Sequence, residues 1–530
     1  MFISSCFSSD DLESAAVKPF ALFGDRVRSA LEARRQELEA MYTRVMGRPE
    51  IDPVFLTGVT ILQMMERLPD RQAIMACQYD ARWRLALGLS EEWAGIDPST
   101  LVYFRRRLAR NSLAKVALES GLEAMRTAGY LGRHAAVRID STHLLGCIAD
   151  MSRLECARET LRLALEFLSA FEGAEAWEPW FTRYAERNPE DLRNASMERL
   201  ASRMEQAGTD MRDVLAKTEV LGKDVAAAGP VALLRRVFGE QFETVEGAPR
   251  QRRISLAGAV CNPHEPEASW STKKSMGTTG WKGYKAQVCE TVEDSKRGKG
   301  EPTKSVITAV CVQPAVTSDH GSIPGILAAH QANVGKEAAA PEEVFVDAGY
   351  VSATALRTAE KAEYDLTGPV PAPPYSVDRF GSDRFTVDIP GRKATCPGGK
   401  ICSECSRIND AHLGVRYYFA WAAADCGACP LQKRCLSPKK KTARRTLDVT
   451  EHHMTVQARR DLCKTEAYQA RMRRRNALEG THSELVRGYG LRNCRYRGLL
   501  KTELQSQFTA TACNLRRWAR RLCWEERING

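Results

Sequence analysis

Two apolar runs in this chain each lead into an aspartate: Ala135-Ala136-Val137-Arg138-Ile139-Asp140-Ser141-Thr142 and Val344-Phe345-Val346-Asp347-Ala348-Gly349-Tyr350. Short β-branched runs bounded by small or turn residues are typical of buried strands. We therefore expect Asp140 and Asp347 at the exits of two strands. Carboxylates at the ends of neighbouring strands can share a divalent metal ion, which is the simplest reason to place charge among apolar residues.

Composition indicates a folded chain of several domains. The chain has 530 residues, of which 43% are hydrophobic and 27% are charged. Lys and Arg outnumber Asp and Glu by 77 to 66, and the C-terminal quarter concentrates the excess in residues 438–445, 471–475 and 516–521. Such clusters favour a polyanionic partner, although any one of them could equally be a solvated helix face.

The sequence predicts a cytoplasmic protein that does not span a membrane. No apolar run approaches the roughly 18 residues of a membrane span, and the N-terminus lacks the basic region of a signal peptide. In a reducing compartment the 17 cysteines are expected to be thiols or metal ligands and not disulfides.

Hydrophobic periodicity along the chain predicts a mixed α/β fold with two insertions. Helical and strand-like patterns alternate, and turn-forming residues separate them. The predicted parts are an N-terminal helical domain (1–130), the first part of the core (131–150), a helical insertion (151–250), the continued core (251–375), a cysteine-rich insertion (376–450) and a basic helical part that completes the core (451–530).

A third acid is expected on the predicted helix 464–487, because two carboxylates bind a catalytic metal poorly. Glu479 and Glu484 point about 140° apart on such a helix, so only one of them can face a given site. Glu479 lies four residues after Arg475, on the same helix face, where Arg475 could contact a phosphate. An ordinary surface Arg–Glu pair is the alternative, and Glu484 is the alternative acid.

The cysteine-rich insertion carries a zinc-like pattern. Its spacing is C-x5-C-x2-C, then twenty residues, then C-x2-C-x5-C, and the residues are Cys396, Cys402, Cys405, Cys426, Cys429 and Cys435. Two C-x2-C pairs at this separation indicate a structural Zn²⁺ site. Six thiols exceed one tetrahedral site, so either four of them bind a single ion or all six bind a small cluster.

These residues together resemble a DDE transposase of bacterial insertion sequences, of the ribonuclease-H-like type with a cysteine-bearing insertion before its Glu. The resemblance runs from about residue 50 to 520. The matching motifs are Ser99-Thr100-Leu101 with Phe104-Arg105-x-Arg107-Leu108, Asp140-Ser141-Thr142, Gly283-Tyr284-Lys285, Asp347-x-Gly349-Tyr350, Arg475 with Glu479, Arg495-Tyr496-Arg497-Gly498 and Asn514-Leu515-Arg516-Arg517. The chain departs from the usual pattern at Met472, Val486 and Ala348, which affects auxiliary phosphate contacts and not the acids.

The resemblance implies a ribonuclease-H-like mixed sheet flanked by helices. It implies that Asp140, Asp347 and Glu479 hold Mg²⁺ or Mn²⁺, two ions in all, for hydrolysis at a transposon end and strand transfer of the freed 3′-OH into target DNA. The family's usual zinc cysteines match Cys396, Cys426, Cys429 and Cys435. The implied partner is double-stranded DNA, as terminal repeats and target, bound by a homodimer.

Basic residues in or near these motifs are the expected DNA contacts. They are Arg105, Arg107, Lys285, Arg475, Arg487, Arg495 and Arg497. Two other functions remain open: a catalytically inactive, domesticated zinc-containing DNA-binding protein, and a stand-alone metal-dependent nuclease. The presence of all three acids argues against the inactive protein.

Overall fold

The structure is a computed structural model. It describes residues 8, 11, 14–42, 51–131, 136–149, 151–185, 195–253, 257–272, 280–293, 298–335, 340–371, 373, 379–410, 414–436 and 444–529. Most of the basic cluster 438–445 lies outside the described residues, as do residues 294–297 of the loop that joins the strands on either side of residue 294.

The fold is mixed α/β, as the sequence predicts. The strands, β1 to β13 in chain order, are Ala136–Leu145, Phe242–Val245, Ala248–Gln251, Ser269–Thr272, Gly280–Thr291, Ile307–Pro314, Glu343–Phe345, Asp365–Thr367, Thr386–Asp388, Lys393–Thr395, Glu404–Asp410, Gly414–Ala420 and Thr446–Thr450.

The helices alternate with these strands. In chain order, α1 to α21 are Lys18–Leu22, Arg28–Glu32, Arg35–Glu39, Pro53–Glu66, Asp70–Tyr79, Ala81–Leu87, Ser99–Arg110, Val116–Thr127, Arg153–Glu172, Trp180–Tyr184, Met197–Val220, Lys223–Ala227, Gly229–Gln241, Ile323–Val334, Ala353–Lys361, Ala423–Gly427, Gln432–Cys435, His453–Leu462, Glu466–Met472, Ala477–Ser483 and Leu499–Asn529.

The central sheet has the strand order β6-β5-β1-β7-β8, with β4 also paired to β5. β5 is antiparallel to both β1 and β6, whereas β1, β7 and β8 are mutually parallel where they pair. A parallel pair needs a crossover connection, and the chain between β1 and β7 supplies it with β5, β6 and α14. This arrangement brings the strands before Asp140 and Asp347 side by side.

β1 is longer than the sequence predicts, so Asp140 lies within the strand and not at its exit. β5 pairs with β1 from Val137↔Thr291 to Leu145↔Gly283, which carries the strand past the aspartate. Gly283 permits this extension: its φ is +149°, and a β-carbon there would lie 2.2 Å from the Leu144 carbonyl oxygen. The Gly283-Tyr284-Lys285 motif therefore has a backbone role as well as side-chain roles.

The N-terminal helices and the C-terminal helix share one hydrophobic core with the sheet. Phe104 from α7, Tyr284 from β5 and Phe508 from α21 are buried in the same cluster. Asn514 on α21 fixes the contact, because its side chain accepts from the backbone N–H of Ile307 at 2.9 Å and donates to its carbonyl at 2.7 Å. The Asn514-Leu515-Arg516-Arg517 motif thus contributes to packing.

Both insertions have cores of their own. The helical insertion starts with a capping box in which Ser152 and Glu155 bond reciprocally, and its helices bury a separate apolar cluster. The cysteine-rich insertion forms the three-stranded sheet β11-β12-β13 and the hairpin β9-β10, which pack around Phe419 and Trp421. Each insertion can therefore fold on itself while the central sheet stays continuous.

The long helix predicted over 464–487 is broken. The chain forms α19, a 3₁₀ turn over Arg473–Asn476, α20, and then a π-helical turn over Glu484–Gly488. In the 3₁₀ turn the Arg474 carbonyl accepts from Arg138 on β1 at 3.2 Å, and the Arg474 guanidinium lies over the Phe345 ring. Arg475 is therefore outside the α-helix of Glu479, and the predicted i,i+4 geometry does not apply.

A buried carboxylate holds α20 against the sheet. Glu290 on β5 is fully buried, and its oxygens bind Arg138 from β1 and Arg517 from α21, the latter at 3.0 Å. The Thr481 hydroxyl of α20 donates to Glu290 at 2.7 Å, and Arg517 donates in turn to Thr481. Burial opposes the ionisation of Glu290, but the two guanidiniums leave its pKa below its ordinary value.

Removing one partner of this network should destabilise the whole fold. We expect Arg517→Ala to lower the free energy of unfolding by about 3–5 kcal/mol, because it leaves Glu290 with one guanidinium in a dry site. Urea unfolding followed by circular dichroism measures the loss. The neighbouring Arg516→Ala is the matched control, since Arg516 only stacks over Tyr489; its loss should stay under about 1 kcal/mol. Equal losses in the two variants would contradict the role given to Glu290.

Candidate active site

Asp140 and Asp347 lie on neighbouring strands and are both half-buried. Asp140 Oδ1 accepts the Ser141 N–H at 2.7 Å, and its Oδ2 lies 3.7 Å from His482 Nε2. Asp347 lies two residues after the end of β7, and its Oδ1 accepts the Gly349 N–H at 2.7 Å in a tight turn. Each carboxylate is thus oriented by a nearby backbone N–H.

Tyr350 connects the two aspartates electrostatically. Its ring is fully buried, and its hydroxyl donates to the Gln287 side chain on β5. Burial raises the pKa of Tyr350 well above its ordinary value, and the negative charges of Asp319, Asp140 and Asp347 raise it further. The hydroxyl therefore stays protonated and is a fixed hydrogen-bond donor between the strands.

Glu479 and Glu484 flank the buried stripe of their segment on opposite sides. The stripe is formed by Leu478, Thr481 and Leu485. By helical geometry Glu479 lies about 60° from His482, the residue next to Asp140. Glu479 is exposed, and this angle puts it on the part of the α20 surface next to His482.

Glu484 has a structural role. It binds Arg517 at 2.9 Å and also Arg520, both on α21. Burial works to raise the pKa of Glu484, but the charges of the two arginines outweigh burial and leave its pKa below its ordinary value. Both oxygens of Glu484 thus bind arginines of α21, which favours Glu479 as the acid of the site.

The donor chemistry of the site suits a hard divalent cation, because Asp140, Asp347 and Glu479 offer carboxylate oxygens. As the side chains stand, however, no group of three or more His, Cys, Asp or Glu residues within the described ranges is arranged so that it could hold a metal ion. The residues suit the metal in two respects: the ligand type, and the placement of the two aspartates on paired parts of the sheet with Glu479 on the adjacent helix.

A further acid, Asp319, lies beside Asp347 and was missed at the sequence level. A β-carbon on Gly349 would lie 3.1 Å from Asp347 Oδ1 and 3.2 Å from Asp319 Oδ2, so both carboxylates approach the same α-carbon. Asp319 precedes the 3₁₀ turn that leads into α14, and an aspartate before a helix is ordinarily read as a cap. Here its side chain makes no capping bond, and no sequence signal distinguishes it from a cap.

Arg105 is not available to DNA, contrary to the sequence-based prediction. It is only 3% exposed, and its guanidinium makes two hydrogen bonds to Asp70, at 3.0 and 2.6 Å. It also lies over the Tyr496 ring. The three successive arginines of α7 differ in exposure because helical residues are about 100° apart. Arg105 points into the protein, whereas Arg106 and Arg107 are exposed.

The outer face of α7 is exposed and basic. It carries Tyr103, which is 57% exposed, together with Arg106, Arg107 and Arg110. Arg107, one of the predicted DNA contacts, stacks over Tyr42 and keeps an exposed side chain. Tyr103 and Arg106 were not singled out from the sequence, although their position one turn apart follows from the helical period.

The remaining predicted DNA contacts divide into two groups. Lys285 binds Asp319 at 3.0 Å with its side chain 14% exposed, and Arg495 donates to the Leu68 carbonyl on the N-terminal helical layer. Both side chains are held within the protein. Arg487 and Arg497 are exposed, and Arg475 is half-buried in the 3₁₀ turn before Glu479.

The six predicted zinc cysteines separate into a group of four and a pair. Cys396, Cys426, Cys429 and Cys435 line one small cavity with Trp421 and Asp425. Burial raises the pKa of Cys435; the Arg445 charge opposes this, and the charges of the other three thiols add to it. Cys402 instead accepts the Ala394 N–H at 3.2 Å, and Cys405 has Cys402 and Arg392 as its charged neighbours.

Two family models match this chain. One, described as "Transposase DDE domain", matches residues 395–519, which include the cysteine group, Glu479 and most of α21. The other, described as "Transposase domain (DUF772)", matches residues 16–107 in the N-terminal helices. Both matches support an insertion-sequence DDE transposase.

The transposase matches leave the first two acids outside their ranges, so the site around Asp140 and Asp347 is supported by the geometry of the sheet. No curated protein and no solved structure shows significant similarity to the chain. Among the described helices, none is long and apolar enough to cross a membrane.

Proposed function

We propose that this transposase cuts DNA at the ends of its insertion sequence and joins the freed ends to target DNA at Asp140, Asp347 and Glu479. The observation that supports this most strongly is the pairing of β1 with β7, which places Asp140 and Asp347 on adjacent parts of the sheet, with His482 of the Glu479 helix 3.7 Å from Asp140. Carboxylates on three separate elements can surround a scissile phosphate.

In this proposal the three carboxylates would hold Mg²⁺ or Mn²⁺, two ions in all. Bound divalent ions activate the attacking oxygen and stabilise the leaving oxygen of a phosphodiester. The protein orients the ligands: the Ser141 N–H orients Asp140, the Gly349 N–H orients Asp347, and the Glu290 network seats α20. Arg475 and Arg487, on either side of Glu479, would contact DNA phosphates.

The exposed face of α7 is a second DNA contact in this proposal, through Tyr103, Arg106, Arg107 and Arg110. Basic side chains on one helix face suit a phosphate backbone, whose contacts make binding weaken steeply as salt rises. A homodimer on paired ends would let two active sites act on one transposition event. Arg106→Ala should weaken DNA binding uniformly across sequences and should lower the salt slope by about one.

The acids are tested by conservative substitution. We expect Asp140→Asn, Asp347→Asn and Glu479→Gln each to abolish end cleavage and strand transfer, by at least about a hundredfold, while the unfolding midpoint stays close to wild type. The assay uses paired transposon ends with Mg²⁺ or Mn²⁺ and a labelled target duplex. Glu484→Gln is the matched control; it should lose stability through the freed Arg517 and Arg520 and keep cleavage.

The same assay separates the competing functions. A transposase cuts and joins, a stand-alone nuclease only cuts, and a domesticated DNA-binding protein does neither. Full activity in the Glu479→Gln protein would remove that residue from the site and would point to Glu484.

We also propose that Cys396, Cys426, Cys429 and Cys435 hold a structural Zn²⁺, and that Cys402 and Cys405 do not. The four thiols line one cavity, and a β-carbon on Gly398 would lie 3.6 Å from the Cys396 sulfur and 3.5 Å from the Cys429 sulfur. Four thiolates suit tetrahedral zinc, and small rotations of the side chains would converge them. The ion would stabilise an insertion whose own core is small.

Metal analysis of the reduced, purified protein tests the zinc proposal. We expect one zinc per chain in the wild type, less than about one fifth of that in Cys426→Ser, and an unchanged content in Cys402→Ser and Cys405→Ser. Chelation should melt the insertion before the central sheet. A wild-type protein without zinc, or equal losses of zinc from Cys426→Ser, Cys402→Ser and Cys405→Ser, would contradict the assignment of these four ligands.

A further inference from the structure

Asp319, which none of the transposase motifs includes, is at the centre of a hydrogen-bonded chain of side chains. Its Oδ1 accepts from Lys285 Nζ at 3.0 Å and from Gln287 Nε2 at 3.0 Å. Lys285 and Gln287 are two residues apart on β5 and so project from the same face of the sheet. Gln287 accepts in turn from the Tyr350 hydroxyl. The chain therefore runs from β5 to the turn that carries Asp347.

The second oxygen of Asp319 faces that same turn. Gly349 separates Asp319 Oδ2 from Asp347 Oδ1, and a methyl group on Gly349 would lie 3.2 and 3.1 Å from these two oxygens. The three carboxylates of Asp140, Asp319 and Asp347 all act on the Tyr350 hydroxyl. Asp319 is thus within electrostatic reach of the proposed metal ligands.

The charges in this region show what Asp319 contributes. Lys285 carries a positive charge, its side chain is 14% exposed, and its ammonium also donates to the Thr317 carbonyl. An unneutralised ammonium at this place would lower the affinity of the site for a cation, since charges interact strongly across partly buried protein. The ion pair with Asp319 cancels that charge locally.

We propose that Asp319 is a positioning residue of the active site: it neutralises Lys285 and, through Gln287 and Tyr350, fixes the Asp347 turn, so that the site keeps a net negative charge for a divalent cation. This inference rests on the proposed function of those two aspartates. Lys285 is then an internal counter-charge and not a DNA contact, which differs from the role that its motif suggests.

Asp319→Asn tests the electrostatic part of this role, because asparagine keeps an acceptor oxygen for Lys285 and Gln287 and removes only the charge. We expect Asp319→Asn to weaken the binding of Mn²⁺ alone about tenfold, as read from free Mn²⁺ by electron paramagnetic resonance. The Mn²⁺ concentration for half-maximal end cleavage should rise by the same factor. The double variant Lys285→Met/Asp319→Asn should recover to within about threefold of wild type, since it removes the uncompensated ammonium.

Two controls make the result specific. Asp461→Asn breaks a Lys–Asp pair of 2.6 Å on the exposed surface and should leave Mn²⁺ binding unchanged. Lys285→Met alone leaves Asp319 charged and should bind Mn²⁺ at least as tightly as wild type. If Asp319→Asn does not fold, the Mn²⁺ affinity of Lys285→Met tests the proposal in its place.

The outcomes separate this inference from the proposed function. Wild-type protein that binds no Mn²⁺, or Asp140→Asn protein that binds it normally, overturns both. Wild-type protein that binds Mn²⁺ with unchanged affinity in folded Asp319→Asn overturns the inference alone. A loss of affinity in Lys285→Met, or a double variant as weak as Asp319→Asn, overturns it as well, because neither agrees with neutralisation.

Discussion

The carboxylate of Glu290 lies in the dry interior, and the proposed active site depends on the groups that neutralise it. An isolated buried charge costs several kcal/mol, so the fold must bring cations to it. Arg138 comes from β1 and Arg517 from α21, while Thr481 of α20 adds a hydroxyl. One ionised group thereby ties four elements together, and the helix of Glu479 is among them.

The same strand alternation that places Arg138 also places Asp140. Side chains two residues apart on a strand share a face, so Arg138 and Asp140 both project toward the helical layer formed by α20 and α21. Val137 and Ile139 project to the opposite face and pack in the cluster that also contains Val346 and Tyr350. The carboxylate of Asp140 thus lies on the side of the sheet where α20 is anchored, while the Asp347 turn follows the end of β7.

Sequence patterns predicted the mixed α/β fold and several of its strands because these depend on local periodicity. The run before Asp347 is a strand, and the segment around Gly283-Tyr284-Lys285 is another. The sequence did not predict what distant pairing determines. The length of β1 depends on its register with β5, and the burial of Arg105 depends on Asp70, thirty-five residues away. Asp319 resembles a helix cap in sequence, and only its contacts across the sheet reveal its neighbours.

The long chain segments between the acids do not disturb the central sheet, because both insertions are attached outside its paired strands. The helical insertion leaves the chain after β1 has finished and rejoins it before β4, and the cysteine-rich insertion lies between β8 and α18. Each buries its apolar residues in a separate cluster, so the pairing of β1, β5 and β7 is uninterrupted. The spacing of Asp140 and Asp347 is then set by the distance between adjacent strands, which is nearly constant at about 4.8 Å.

The position of Glu479, in contrast, is set by side-chain contacts alone, since α20 is seven residues long and is anchored through Thr481. Of the three proposed acids, Glu479 is therefore the one that strand pairing does not hold in place.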